Sequence, residues 1–449
     1  MDKPAAAVAV FGTDYPDRRP PAAIQTEHAV VVRQADHLAH LRADTPYRHE
    51  VLAELQKRRA KRGDLVQFEA IPNDGFDVLV VTGELVVAAR HLADERVQGL
   101  MAELDLESSP LIRIGDVFRL TPRGVDRMTG RAADVLAAIK RHAAPVTFNH
   151  ITPLGIVMKG AGGPGPSVAG GHSFPPVPVG VPTPVAVIDT GITAEVRGDG
   201  WLAGIHKTTN DDPLDAIPTP DGYLDLGAGH GTFVIGVLQQ VDPAADLRMY
   251  RAMDSDGIGS EDEVAQQIRA AVAAGARILS LSLGTQTYDD QPPPILEAAL
   301  TEAFNAAPDL LVVAGAGNYG DERPVYPAAL STKFPNVVAV AALTAAGTPA
   351  PWSSRGPWVT CSTIGEGVVS TYVEGTEAPV VQSPGDVFKC DAWAAWTGTS
   401  FAAPQIAGAV ARRLREQPSL TPKQAFDLLI EPGTAIDGYG KAVVVLPGT

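Results

Sequence analysis

Apolar and polar positions along this chain follow two periods, and the switches between them mark its elements. Val185-Ala186-Val187-Ile188, Ile278 to Leu283, Leu310 to Ala314 and Val337 to Val340 are short, nearly unbroken apolar runs. Runs of that length, ended by Gly, Asp or Ser, read as strands buried on both faces. Leu247 to Tyr250 is a weaker one. Between them lie stretches with helical spacing: Phe233 to Val241, Glu263 to Ala274, Ile295 to Ala307 and Phe401 to Arg415. In the last, Phe401, Ile406, Val410 and Leu414 fall near one face. Buried strands alternating with helices predict a parallel sheet covered on both sides, an α/β fold. Sites in such sheets lie beyond the C-terminal ends of the strands.

The front of the chain has a different rhythm. Leu65 to Ile71, Val78 to Val81 and Val117 to Leu120 read as strands. Arg48 to Arg62, Ala88 to Leu104 and Asp126 to His142 read as helices. This predicts a separate α+β domain over residues 1–159, with no catalytic motif in it. Residues 160–184 then turn rich in Gly and Pro. Such composition reads as a linker, flexible first and stiffer later. The domain boundary is placed there, and His172 is read as plain linker. Residues 185–449 form the second domain.

Composition narrows the picture only a little. The 449 residues are enough for two or three domains. At 45% hydrophobic and 20% charged they describe a globular protein. No run of about 18 apolar residues is present, so no membrane span is expected. The N-terminus is a poor signal peptide, with its short apolar run stopped by Asp14 and Asp17. That leads to an expectation of a cytoplasmic protein with no membrane partner. The net charge of −16 is uneven. Residues 1–159 carry 21 basic and 21 acidic residues, leaving 15 and 31 for the rest. An acidic second domain argues against nucleic acid as a partner and suits cationic peptides. Cys361 and Cys390 are too few for a disulfide framework and lack metal-ligand spacing with His. A single bridge or two free thiols both remain open. Lys57-Arg58-Arg59-Ala60-Lys61-Arg62 reads as a solvated helix end, where cations are favoured, or as a site for phosphate or an acidic partner.

Four short stretches carry candidate chemistry. Asp189-Thr190-Gly191 ends a buried strand. Gly229-His230-Gly231-Thr232 opens a helix. Gly315-Ala316-Gly317-Asn318 follows a strand and offers a side-chain amide. Thr397-Gly398-Thr399-Ser400 opens the helix of Phe401 to Arg415. Singly, each has an ordinary reading as a cap, a core histidine or a turn. Together they supply a full set of roles. A serine hydroxyl needs a base, and histidine, here His230, is the side chain suited to that task near neutral pH. Asp189 can orient the imidazole and stabilise its cation. Asn318 and the Ser400 backbone N–H can hold an oxyanion. The predicted reaction is acyl transfer to Ser400 followed by hydrolysis.

These segments, with Phe401-Ala402-Ala403-Pro404, resemble the signature stretches of the subtilisin-like serine proteases, in the same order along the chain. The resemblance covers roughly residues 185–445. It implies a three-layer subtilisin-like fold with a central, mainly parallel sheet, preceded here by the α+β domain. It implies a serine endopeptidase with Asp189, His230, Ser400 and Asn318 as catalytic residues. Gly257, Ile258 and Gly259 on one side, and Ser282, Leu283 and Gly284 on the other, resemble the two edges that hold substrate as an added strand. Val325-Tyr326-Pro327-Ala328 resembles the family segment that lines the first specificity pocket, often with a cis proline, and Gly315, Ala316 and Gly317 are expected, with Val325, to bind substrate. Trp352 to Pro357 matches another family segment.

The departures are specific. Phe233 stands where the family often has a second histidine. Val325 is often smaller, which puts acceptance of large aromatic side chains in doubt. Asp321 and Glu322 could weakly favour basic residues at the rim. No carboxylate cluster of calcium-site type is visible, so no cofactor is expected and calcium dependence stays open. The insertion from Thr371 to Trp393 has no motif. By analogy the N-terminal domain is expected to be regulatory or inhibitory, docked on or beside the cleft. A fold that binds without catalysing is the alternative reading.

Overall fold

The computed structural model describes residues 7–9, 20–73, 75–111, 116–124, 126–153, 162–168, 173–205, 211–379 and 385–446. The strands are β1 (Val8–Ala9), β2 (Phe68–Ile71), β3 (Val78–Ala88), β4 (Leu106–Pro110), β5 (Val117–Pro122), β6 (Thr147–His150), β7 (Gly165–Pro166), β8 (Pro184–Asp189), β9 (Asp246–Arg251), β10 (Ile278–Leu281), β11 (Leu311–Gly315), β12 (Val337–Leu343), β13 (Cys361–Ile364), β14 (Val368–Thr371), β15 (Gly375–Thr376), β16 (Val387–Phe388), β17 (Trp393–Trp396), β18 (Thr434–Ile436) and β19 (Gly440–Val444). The helices are α1 (Pro21–Ala43), α2 (Thr45–Arg59), α3 (Glu95–Leu104), α4 (Ala132–His142), α5 (His230–Val241), α6 (Glu261–Ala273), α7 (Pro294–Ala306), α8 (Thr399–Glu416) and α9 (Pro422–Ile430).

The main sheet runs β1-β19-β13-β12-β11-β10-β8-β9, parallel at every step, with β18 antiparallel to β19. Its central strands are mostly apolar because both faces are covered, with Ser280, Ser362 and Thr363 among the few buried polar positions. Val185 and Val187 of β8 join the core with α5 and α8. Ala186 and Ile188 point the other way, to α6 and α7. Leu311 and Val313 alternate with Val312 and Ala314 in the same manner. Two-residue alternation between opposite faces is what a strand requires. Strands β8 and β11 end beside the site, as do the starts of α5 and α8.

The N-terminal domain has an antiparallel sheet, β2-β3-β5-β4 with β6 on the other edge of β3. Helices α3 and α4 cover one face. The other face sits on the second domain, where Val86 and Val117 pack with Ala265 of α6 and Ile295 and Ala299 of α7. Arg119 joins the junction by pairing with both Glu84 and Asp262. His150 Nδ1 lies 2.7 Å from Glu261 Oε1, both side chains fully buried.

Several sequence expectations need correction. Helix α1 falls where no element was expected, and together with α2 it makes a hairpin in front of the sheet. The helix read over Ala88 to Leu104 is the end of β3, a 3-10 turn at Ala89–His91, and α3. The helix read over Asp126 to His142 starts only at Ala132. Residues 160–184 are not all free linker. Residues 160, 161 and 169–172, His172 among them, lie outside the described residues. Gly162 to Gly165, however, are buried, and β7 pairs antiparallel with β17. The N-terminal boundary also differs, because β1 extends the second domain's sheet. Both cysteines are free, Cys361 buried and Cys390 exposed. Among the described residues no helix is long and apolar enough to cross a membrane, and no group of three or more His, Cys, Asp or Glu is placed to hold a metal.

Candidate active site

Asp189 is the last residue of β8 and wholly buried. Its Oδ1 accepts from the Thr190 N–H at 2.7 Å and faces His230 Nδ1 at 2.8 Å. His230 begins α5. The residue before it, Gly229, has φ +78, and a Cβ there would meet Tyr372 at 2.7 Å. A side chain is excluded on both counts. A Cβ on Gly231 would meet the Gly191 carbonyl at 2.1 Å. The two motifs therefore touch backbone to backbone, and glycine is what allows the aspartate to reach the ring. A second carboxylate supports this corner. Asp212 Oδ2 accepts from Gly229 N at 2.8 Å and from Thr190 Oγ1 at 3.2 Å. Burial pushes its carboxyl up to about 6.

The imidazole is boxed by aromatic rings. Trp396 stands edge-on at 5.4 Å between centroids and Phe401 lies tilted at 5.4 Å. Phe233 is fully buried and packs on both Trp396 and Phe401. It thus belongs to the wall behind the base and not to the reacting surface.

Ser400 is in the first turn of α8, 6% exposed. Its hydroxyl donates to the Ser282 carbonyl at 3.3 Å, and Ser282 Oγ donates back to the Ser400 carbonyl at 2.7 Å. The hydroxyl is thus engaged with Ser282 and not with His230, although both residues line one cavity. Loose geometry of this kind is common before substrate binds. Asn318 Oδ1 accepts from both the N–H and the hydroxyl of Thr399, each at 3.0 Å. The amide is thereby oriented, with Nδ2 turned towards Gly398 and the cleft. Asn318 lines the cavities on both sides of Ser400.

The segment of residues 151–153 occupies the space between the two sequence-predicted edges. Ile151 forms an antiparallel bridge with Ser260. Thr152 N donates to the Gly259 carbonyl at 2.8 Å, and Gly284 N donates to the Pro153 carbonyl at 3.3 Å. Gly257 and Ile258 line the cavity of His230. Ser282, Leu283, Gly284, Gly315 and Gly317 line the second cavity, while Ala316 is buried behind it. Val325 is fully buried too. A Cβ on Gly284 would meet it at 2.7 Å and one on Gly317 at 3.1 Å, so Val325 braces the pocket walls from behind. The Tyr326–Pro327 bond is cis. Asp321 and Glu322 do not line either cavity. Asp321 instead receives the Gln286 amide at 3.0 Å.

Sequence reading missed the hairpin's part in this site. Val51 and Leu55 of α2 close the first cavity, and Leu38, Leu41 and Phe76 close the second. The basic run at the end of α2 is solvated only in part, with Lys57 and Lys61 exposed and Arg58 and Arg59 turned inward. Arg58 pairs with Asp225 and Asp256, and Arg59 with Asp254. The surplus of acid after residue 159 was the one available signal, and it names no partner.

Comparison with known proteins agrees with this arrangement. A profile of the subtilase family (Peptidase_S8) matches residues 182–439, more than half of the chain. A thermostable alkaline protease of Halalkalibacterium halodurans is 30% identical over 272 residues, 58% of this chain and 65% of that one. Subtilisin E of Bacillus subtilis is 26% identical over 277 residues, 58% of this chain and 63% of its own length. The chain thus spans less than two thirds of these relatives. Among solved structures, fervidolysin from Fervidobacterium pennivorans, described as a keratinolytic enzyme related to subtilisin, superposes with a TM-score of 0.56 at 19% identity. That match takes in 84% of this chain and 61% of the other, and it speaks for the fold.

Proposed function

The chain belongs to the subtilase family, and from that membership and the site's geometry we propose that it is a serine endopeptidase whose N-terminal domain governs access to the cleft. One observation carries the reading. A buried carboxylate holds His230 Nδ1 at 2.8 Å in the cavity that also contains Ser400 and Asn318.

The chemistry follows from those positions. With Nδ1 protonated toward Asp189, Nε2 is free to take the Ser400 proton. The oxygen bonds to the substrate carbonyl carbon, and the carbonyl electrons move onto its oxygen. Asn318 Nδ2 and the Ser400 backbone N–H, at a helix N-terminus, receive that charge. The imidazolium then gives its proton to the leaving amine as the C–N bond breaks. Water repeats the cycle, and the acyl group leaves as a carboxylic acid. Substrate lies as an extended strand between Gly257–Gly259 and Ser282–Gly284, bound largely through its backbone.

Residues 151–153 already hold that strand position, and the α1–α2 hairpin covers the mouth. This supports a restraining role for the front domain. The alternative, a subtilase fold that binds without catalysis, is the weaker reading, because His230, held by Asp189, shares a cavity with Ser400 and Asn318. Fluorophosphonate labelling separates the two. The expected result is a single adduct on Ser400 by peptide mapping, faster after the hairpin is loosened by Leu41→Asp. No adduct on folded protein in either form would favour the silent scaffold.

The hairpin should loosen in acid. His37 of α1 is buried beside Gly162 and Tyr47, and burial, with His40 nearby, lowers it from 6.5 to about 4. The unfolded or undocked segment binds a proton below 6.5, and the docked one only below about 4. More protons are bound in the open state between those values, so docking weakens as pH falls through that window. The full effect is roughly 3 kcal/mol. The protection factors of α1 amides in Ser400→Ala protein, which remove the slowing of intrinsic exchange in acid, should fall from pH 6.5 to pH 4. An α1 that stays equally protected, or His37→Phe protein with the same pH response, would count against it.

A further inference from the structure

The end of α2 reaches the cleft through one arginine. The Arg58 guanidinium donates from Nη2 to Asp225 Oδ1 at 2.8 Å and to Asp256 Oδ1 at 3.2 Å, and from Nε to Asp256 Oδ2 at 3.4 Å. It also donates to the Ile217 carbonyl. The side chain is 14% exposed, and its two carboxylates 2% and 0%. The receptor is built in advance of its guest. Asp225 Oδ2 accepts from Ser255 Oγ at 2.6 Å and from Ala216 N at 2.8 Å, and Asp256 Oδ1 accepts from Leu226 N at 3.2 Å. Neighbouring Asp254 is neutralised by Arg59, the last residue of the same helix, at 2.7 Å.

The place of this pair matters. Asp256 directly precedes the Gly257–Gly259 edge on which Thr152 is paired, and it lines the cavity that holds His230 and Ser400. A peptide lying on that edge passes within side-chain reach of both carboxylates. Arg58 does not arrive along that path. It comes from α2, whose Val51 and Leu55 fill the same cavity. Any peptide reaching Ser400 must displace α2 and so strip Arg58 from its partners. Asp225 and Asp256 would then share a nearly dry corner with no cation, and Asp254 beside them would lose Arg59 too, at a large desolvation and repulsion cost.

Resting on the peptidase reading above, we propose that Asp225 and Asp256 form a cation subsite on the acyl side of the cleft, that it selects an arginine or lysine side chain of the substrate, and that Arg58 keeps the hairpin closed by filling it. A basic substrate then opens the lid by taking Arg58's place. A neutral one must open it and leave the carboxylates unpaired. Specificity and release use the same two charges.

The test compares full-length protein on peptides that differ only by arginine against citrulline, its neutral isostere, at each of the positions before the scissile bond. At one position arginine should raise kcat/KM on the order of 10- to 100-fold, the range of a charge-assisted hydrogen bond. In Asp256→Asn that ratio should fall towards one. A ratio near one at every position in wild type, or one unchanged in both Asp256→Asn and Asp225→Asn, overturns the subsite while leaving the peptidase reading intact. Should no peptide be cut, the peptidase reading fails and a second measurement still decides this one. In Ser400→Ala protein the arginine peptide should speed hydrogen exchange over Val51–Arg59, and the citrulline peptide should not. Equal exchange with both means that Arg58 is only a structural clasp.

Discussion

Ser400→Ala and His230→Ala are each expected to lower turnover by about 10^6-fold, the scale established for the subtilisin triad, with the double substitution hardly worse than either alone. The reason is mutual dependence. The hydroxyl has no base without the imidazole, and the imidazole has no proton to move without the hydroxyl. Asp189 stands one step back, since it touches His230 and not the reacting carbon. Binding should survive these changes, because the strand contacts at Gly259 and Gly284 are backbone contacts. The check is kcat on a peptide substrate, with thermal melting to confirm folding. Ser400→Ala protein within tenfold of wild type would place the nucleophile elsewhere.

Asn318→Ala lowers kcat on the order of 100- to 1000-fold with KM little changed. Here the structure adds a complication, because Asn318 Oδ1 also caps α8 through Thr399 N and Oγ1. Removing a cap costs about 1 kcal/mol of stability by itself. Asn318→Asp separates the two roles. It keeps the acceptor for Thr399, removes the N–H and sets a negative charge beside the developing oxyanion. It should melt near wild type and turn over no faster than Asn318→Ala. If Asn318→Asp instead restores turnover, the amide is a cap and not an oxyanion donor.

The catalytic half was legible because its signals are local. Strands β8, β10, β11 and β12 are apolar on both faces, and no other element of that length needs such composition. The four motifs sit at strand or helix ends, where short glycine-bearing turns stand out. The front half hid its structure for physical reasons. Helix α1 buries Glu27, Gln34 and His37 along with its apolar residues, so its inner face does not read as apolar. Gln34 donates to the carbonyls of Gly163 and Ala395, contacts made across the chain and invisible in a window of sequence. Strand β3 is broken to the eye by Thr82-Gly83-Glu84, where its register with β6 shifts. The basic run at the end of α2 finds its carboxylates nearly 200 positions later.

Glycine misled in one further way. Gly162 and Gly165 read as flexible chain, yet a Cβ on the first would strike the His37 ring at 2.2 Å and on the second Val30 at 2.4 Å. They are there for close packing under α1. Composition shows that glycine is present but not which of its two uses applies.

The pairing of β7 with β17 and of β1 with β19 means that covalent continuity and physical attachment are separate matters in this molecule. A break in the peptide chain anywhere in residues 154–161 would yield two polypeptides but one particle. The upstream piece would still be gripped at β1, at the sheet seated on α6 and α7, and at the arginine clasp. The downstream piece would keep β7 as its own outer strand. The helix α1 and residues 151–153 add further grips, so shedding the front half is a matter of peeling several seams, and its rate is set by the slowest of them.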